Sequence, residues 1–257
     1  MRIHKTAIVH KKVKIGKGVS IGPYTIVGEN VEIGDDCFIG PHVFLDGWTK
    51  IGKNCKILGQ SAIGAPPQYL EYKGEETRVI IGENNIIREF VTINRGTKEG
   101  GGITRIGNNN FIMAYSHIAH DCQVGNGVTL ANVATLAGHV TVEDCAIIGG
   151  LAAIHQYVRI GAYAMIGGLS PVRKDIIPYV IGAGDPLRVS GINVIGLKRN
   201  GFSRKEISIL KEAFRLIIRS KLNLSQAVER IEKELEKTDS IKHLLEFLRT
   251  SKRGICK

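Results

Sequence analysis

Half of the chain's eight histidines, His117, His120, His139 and His155, fall close together. Imidazole is the side chain whose ordinary pKa, near 6.5, lets it accept and return a proton at neutral pH. A positioned imidazole acting as general base typically contributes about 10²- to 10⁴-fold to a rate. The spacing is as informative as the residue type. His120, Gly138 and Gln156 are separated by eighteen residues each, and His139 and His155 stand one position to either side of that series. In a chain that coils every eighteen residues, these groups share one ridge. Single polar residues at such positions are commonly just solvated, but a cluster of imidazole and amide groups on one ridge points to proton transfer.

The elements that must hold this ridge follow from an internal repeat. An aliphatic residue recurs at every sixth position from Ile3 to Ile63, from Ile81 to Ile93, and, after an offset, from Ile106 to Val172. Glycine often follows it, as at Gly16, Gly22, Gly34, Gly107 and Gly161, where a tight corner is expected to need a permissive backbone. Each hexad reads as a short strand plus a corner. Three of them close an eighteen-residue coil, giving a triangular prism whose coils stack about 4.8 Å apart around a column of Ile, Val and Leu. Small or β-branched residues sit four positions after many of the aliphatics, among them Cys37, Cys55 and Cys122. That phase makes these thiols packing residues and argues against a reactive Cys122 beside His120.

Two segments, 64–80 and 94–105, interrupt the hexads and are expected to project as loops that line the binding site. Beyond Val172 the repeat breaks at Pro178 and Pro186. Ser203 and Glu206 then form a capping-box pattern, followed by the apolar spacing Ile207, Leu210, Phe214, Ile217 and Ile218. Further helical spacing runs through Ala227, Ile231 and Leu235, and through Ile241, Leu244, Leu245 and Leu248. The fold expected is an all-β solenoid over residues 1–185 and a small helical domain over 186–257.

Composition narrows the function classes. The formal net charge of +11 calls for an acidic partner. The sequence lacks the helix-turn-helix spacing, finger motifs and aromatic-basic interleaving of nucleic-acid readers. No stretch is long and apolar enough for a transmembrane segment, and there is no signal-peptide pattern, so a cytoplasmic protein is expected. The five cysteines include no C-x-x-C pair, which speaks against a disulfide framework or a thiolate zinc site. A histidine zinc site is the remaining metal reading. The β-helical enzymes that bind zinc look to use histidines five apart on facing strands, whereas His117 and His120 are three apart, so no metal is expected.

Four motifs in order make the reading specific: His117-Ile-Ala-His120-Asp121-Cys122, Leu136-Ala-Gly138-His139-Val140, Ile154-His155-Gln156-Tyr157 and Gly196-Leu-Lys-Arg199. Together with the loop from Arg95-Gly96-Thr97 to Gly102 and the tail Arg253-Gly254, they resemble the acyl carrier protein:UDP-N-acetylglucosamine O-acyltransferases of lipid A biosynthesis over essentially the whole chain. The left hand of the coil is an implication of that resemblance, since periodicity does not fix it. The resemblance also implies that His120 deprotonates the sugar 3-hydroxyl, that Asp121 supports the imidazole, and that the Gly138 N–H receives the oxyanion. Asp121 is next to His120, and neighbours on an extended strand point oppositely unless a corner intervenes. His117, His139, His155, Gln156, Gln68, Glu71, Asn193 and Arg199 match substrate-contacting positions, and Gly168 matches the position that limits acyl-chain length. No cofactor is implied beyond the phosphopantetheine of acyl carrier protein that bears the (3R)-hydroxyacyl donor. The implied partners are that carrier protein, a UDP-sugar acceptor and two further copies of the chain in a homotrimer.

The sequence departs from the family at Tyr69 and Glu71, where an acidic residue and a lysine are usual, and at Ile195 and Asn200, where an acidic and a basic residue are usual. These changes touch the acceptor pocket and not the ridge. They raise an acceptor bearing a 3-amino group, and hence an amide product, as the second reading. Another hexapeptide-repeat acyltransferase is the third, and a non-catalytic scaffold is argued against by the histidine ridge.

Overall fold

The computed structural model describes all residues 1–257. Short strands, most of two residues, form three sheets of eleven, nine and eight strands, parallel and with every third strand a neighbour except at the end of the eleven-stranded sheet. This is a left-handed parallel β-helix. The register keeps the eighteen-residue step, as in His117 opposite Thr135, Thr135 opposite Ala153, and Ala153 opposite Pro171. Where the two loops intervene the step lengthens, with Ala62 opposite Thr92 and Thr92 opposite His117.

The aliphatic residue of each hexad points inward, and from Ile21 to Val172 these positions are at most 3% exposed. Burying such a side chain contributes about 1.5–3 kcal/mol relative to leaving it in water. The small residues four positions on have a second task besides filling space. Thr25 Oγ1 donates to Gly40 O, Ser116 Oγ to Ala131 O and Cys122 Sγ to Ala137 O, each fifteen residues ahead. A corner carbonyl that would otherwise be buried without a partner is thereby satisfied.

The glycines of the hexads act differently from the expectation. At Gly22 a Cβ would lie 2.7 Å from the backbone of Gly40, and at Gly34 2.7 Å from Gly52, so glycine there permits the next coil to pack closely. The left-handed backbone is borne two residues later and mostly by other residues, including Tyr24 (φ 56°), Asn54 (φ 57°), Asp121 (φ 61°) and His139 (φ 62°).

The solenoid ends in an antiparallel hairpin, Val180–Ala183 with Arg188–Ile192, whose first strand pairs with Met165–Ile166. Residue 185, the expected end of the solenoid, lies in the turn of this hairpin. Four α-helices follow: α1 (Val194–Arg199), α2 (Arg204–Phe214, continued by a π-helical turn at Arg215–Arg219), α3 (Leu224–Glu234) and α4 (Asp239–Thr250). The Ser203–Glu206 capping box opens α2 as its sequence pattern predicts, whereas α1 and the hairpin had no counterpart in the hexad or helix spacing. α4 is tied to the coils through His243, which bridges Tyr179 Oη at 2.8 Å and Glu143 Oε2 at 2.9 Å. No helix is long and apolar enough to cross a membrane.

Candidate active site

His120 and Asp121 occupy the corner between the strands His117–Ile118 and Gln123–Val124. The left-handed backbone at Asp121 is the corner that lets adjacent side chains turn toward each other. His120 Nδ1 and Asp121 Oδ2 are 2.8 Å apart. The Asp121 side chain is fully buried, and it is held by the second loop: the Thr97 N–H donates to both carboxylate oxygens at 2.9 and 3.1 Å, and Thr97 Oγ1 donates to Oδ2 at 2.6 Å. Its own N–H donates to Thr104 Oγ1 at 2.8 Å. Burial alone would raise the Asp121 pKa, but the bonds from His120 and Thr97 outweigh it and hold the carboxyl below its usual range. An ionised carboxylate only accepts hydrogen bonds. Nδ1 of neutral His120 therefore carries the proton, and Nε2 presents its lone pair outward.

One coil on, Gly138 lies against the imidazole. A Cβ there would be 2.6 Å from His120 Cε1 and 2.7 Å from Nε2, so the ring position requires glycine. The Gly138 N–H donates to no backbone carbonyl, which leaves it available to a ligand on the ridge. His139 meets His120 edge to face at 5.1 Å, stacks on Tyr157 at 4.4 Å, and brings Nε2 to 3.9 Å from Asp121 Oδ2. His117 Nδ1 and Thr92 Oγ1 are 2.7 Å apart. His155 and Gln156 are exposed one coil further along, with Gln156 free of side-chain hydrogen bonds.

Burial lowers the pKa of both His117 and His139; at His139 the Asp121 charge opposes the shift and His120 adds to it. Both rings are therefore expected to titrate below the ordinary histidine range in an NMR titration of ring nitrogens. A folded pKa below the unfolded value stabilises the fold fully above that range, and the contribution is lost as pH falls through the depressed value. Titration of either ring at or above about 6.5 would contradict the burial argument.

The two loops meet at Arg95, which is 8% exposed. Its guanidinium donates to Gly64 O at 2.7 Å and to Tyr72 Oη at 2.9 Å, so the second loop pins the first. The first loop thereby places the Tyr69 ring 6.0 Å from that of His120. Tyr69 Oη donates to Glu71 Oε2 at 2.9 Å, a bond that raises the Tyr69 pKa. Gln68 and Glu71 are exposed on this loop.

The remaining expected positions lie away from this cluster. Gly168 is exposed, and a Cβ on it would be 3.0 Å from Gly150 O. Asn193 is buried and caps α1: Oδ1 accepts from Gly196 N–H at 3.0 Å and Nδ2 donates to Tyr163 O at 2.9 Å. Within one chain its carboxamide is thus committed to structure. Arg199 is exposed in the last turn of α1.

Two competing chemistries are weakened by the geometry. Cys122 is fully buried, and burial pushes its pKa up to about 12, far from thiolate reactivity at neutral pH. His120, Asp121 and His139 offer ligand atoms within 4.8 Å of one another, enough for one cation. However, Asp121 already accepts bonds from His120 and Thr97, so its oxygens are engaged.

Thr97 and Tyr157 complete the site, and neither was a candidate binding or catalytic residue from the sequence, whereas Tyr69, read there as a departure touching the acceptor pocket, lies beside His120. Tyr157 follows His139 by one coil and could have been found by the same arithmetic. Thr97 could not, because its reach to Asp121 depends on the path of a glycine-rich loop.

Comparison with known proteins agrees with this layout. Residues 12–47, 30–65 and 103–138 match the bacterial transferase hexapeptide family, and residues 175–256 match the second domain of UDP-N-acetylglucosamine O-acyltransferase. The acyl-[acyl-carrier-protein]–UDP-N-acetylglucosamine O-acyltransferase of Thermodesulfovibrio yellowstonii is 55% identical over 255 residues, covering 99% of both chains. The enzyme of that name from Alkalilimnicola ehrlichii is 48% identical, covering 99% of this chain and 98% of its own. Among solved structures, UDP-N-acetylglucosamine acyltransferase of Bacteroides fragilis superposes with a TM-score of 0.97 at 42% identity, covering 99% of both chains. That of Moraxella catarrhalis superposes at 0.96 and 43%, covering all of both. With the hexad solenoid, the helical tail and full-length identity in agreement, the chain belongs to the UDP-N-acetylglucosamine O-acyltransferase family.

Proposed function

We propose that this protein transfers a (3R)-hydroxyacyl chain from acyl carrier protein to the 3-hydroxyl of UDP-N-acetylglucosamine, the first step of lipid A biosynthesis, with His120 as general base. The observation that carries the reading is the Gly138–His120–Asp121 arrangement in a chain of 55% full-length identity to an enzyme named for that reaction. Nε2 of His120 takes the hydroxyl proton as the oxygen attacks the thioester carbonyl. The Gly138 N–H stabilises the resulting oxyanion, a contribution of about 10²- to 10³-fold for one such donor. Collapse expels the thiolate of phosphopantetheine, which recovers the proton from the imidazolium. Asp121 keeps the ring in the productive tautomer and stabilises its transient charge. His117, His139, His155, Gln156 and Gln68 line the path of substrate, and Arg199 with the net charge of +11 suits an acidic carrier protein.

Self-association into a trimer is supported by the surface. Phe90, Tyr115, Val133, Leu151 and Leu169 form an unbroken run of exposed apolar residues along one column of corners, and Leu70 at the tip of the first loop is entirely exposed. Apolar surface of this extent marks an interface. Arg199 would then serve the ridge of a neighbouring copy, with Asn193 holding the helix that carries it.

The second reading, a 3-amino acceptor, is favoured by one observation: the first loop places the carboxylate of Glu71 beside Tyr69, next to His120. Purified protein offered 3-hydroxyacyl carrier proteins and the two UDP-sugars together should give the ester. A predominant amide would establish the second reading, and no product with either sugar would overturn both.

A further inference from the structure

The column of corner residues that carries the site does not stop at Gln156. Val172 pairs with Ile154 in the same eighteen-residue register, so Arg173 follows it as His155 follows Ile154; the next strand position then comes two residues early, with Ile176 opposite Ile160, and Lys174 stands at this shortened corner, one coil beyond Gln156. Both line a cleft of about 520 Å³ together with Arg188 and Lys257, over an apolar wall that includes Pro171 and Leu187. Arg173 pairs with Asp185 at 3.4 Å, whereas Lys174, Arg188 and Lys257 form no ion pair. The other large groove, between the eight-stranded sheet and α4, is different in kind, because His243 bridges Glu143 and Tyr179 there by hydrogen bonds.

Three cations without an ion pair, Lys174, Arg188 and Lys257, open to solvent at one end of the histidine ridge, suit a phosphate group. We propose that this cleft is a phosphate-binding site and that its occupant is the phosphate of the donor's phosphopantetheine arm. The inference rests on the reaction proposed above. Two phosphates are available in that reaction, and distance separates them. Lys174 lies three coils from His120, about 14 Å along the ridge at the usual strand spacing. An extended phosphopantetheine arm spans roughly 15 Å from sulfur to phosphorus by extended-chain geometry. The acceptor's diphosphate is attached only two ring carbons from the reacting hydroxyl and falls short of the cleft.

Equilibrium binding tests this without turnover. A 3-hydroxyacyl-phosphopantetheine, the same compound lacking its phosphate, and UDP-N-acetylglucosamine are titrated calorimetrically into the wild-type protein and into a Lys174→Gln, Arg188→Gln double variant. Both residues are exposed, so the variant is expected to fold normally. The phosphorylated donor should bind the wild type about tenfold more tightly than its dephosphorylated form, and the variant should lose that difference while holding UDP-N-acetylglucosamine unchanged. Weakened binding of the UDP-sugar alone would assign the cleft to the acceptor and overturn the donor assignment. Equal binding of the two donor forms by the wild type, or a phosphate advantage that survives in the variant, would overturn the site. A protein that binds in the expected order yet transfers no acyl group would fail the reaction and leave the site standing.

Discussion

Replacing His120 with alanine is expected to lower turnover by about 10²- to 10⁴-fold, with little change in the affinity for either substrate. The loss follows from geometry. Asp121 is buried and bonded by Thr97, and it cannot reach a substrate hydroxyl on the ridge in place of the imidazole. His139 is the nearest other ring, but it is stacked on Tyr157 and sits 3.9 Å from the carboxylate, so it inherits neither the position nor the tautomer control of His120. The His120 side chain is not part of the interior column, so thermal melting and particle mass should match the wild type. Turnover within tenfold of wild type would remove His120 from its role as base.

The second large effect is expected at a residue with no side chain. Gly138→Ala should reduce turnover by about 10²-fold, the cost of displacing a reacting group by roughly 1 Å. The added methyl would fall 2.6 Å from His120 Cε1 and 2.7 Å from Nε2, so the ring must swing away from Gly138 and lose alignment with Asp121. The Gly138 N–H, the proposed oxyanion donor, survives the substitution. Gly191→Ala is the matched control, since a Cβ there meets nothing within 4 Å. Equal activity of the two variants would show that the imidazole does not need its observed place against Gly138.

The solenoid was legible because its interior tolerates only one residue class at one phase. An aliphatic every sixth residue has no other economical explanation, and eighteen-residue arithmetic then brings His120, Gly138 and His139 together without coordinates. Other features depend on information that periodicity does not hold. Adjacent residues such as His120 and Asp121 look divergent until the left-handed backbone at Asp121 is known. The glycine pattern marks close approach between coils, although its positions alone suggest corners of unusual φ. Thr97 and Arg95 act through loops whose paths are set by contacts far apart in sequence, Asp121 for one and Gly64 with Tyr72 for the other. The commitment of Asn193 to capping α1 also becomes visible only once the helix is in place.

Because the aliphatic column faces inward and the corners face outward, residues that hold the molecule together and residues that meet substrate occupy separate addresses in every repeat. An exchange at Gln156 or Tyr157 alters the exposed ridge without opening a hole among Leu136, Ile154 and Val172. Selectivity can therefore drift by single steps while the framework stays fixed, and one scaffold can host a lineage of acceptors and donors differing by a functional group or a few methylenes.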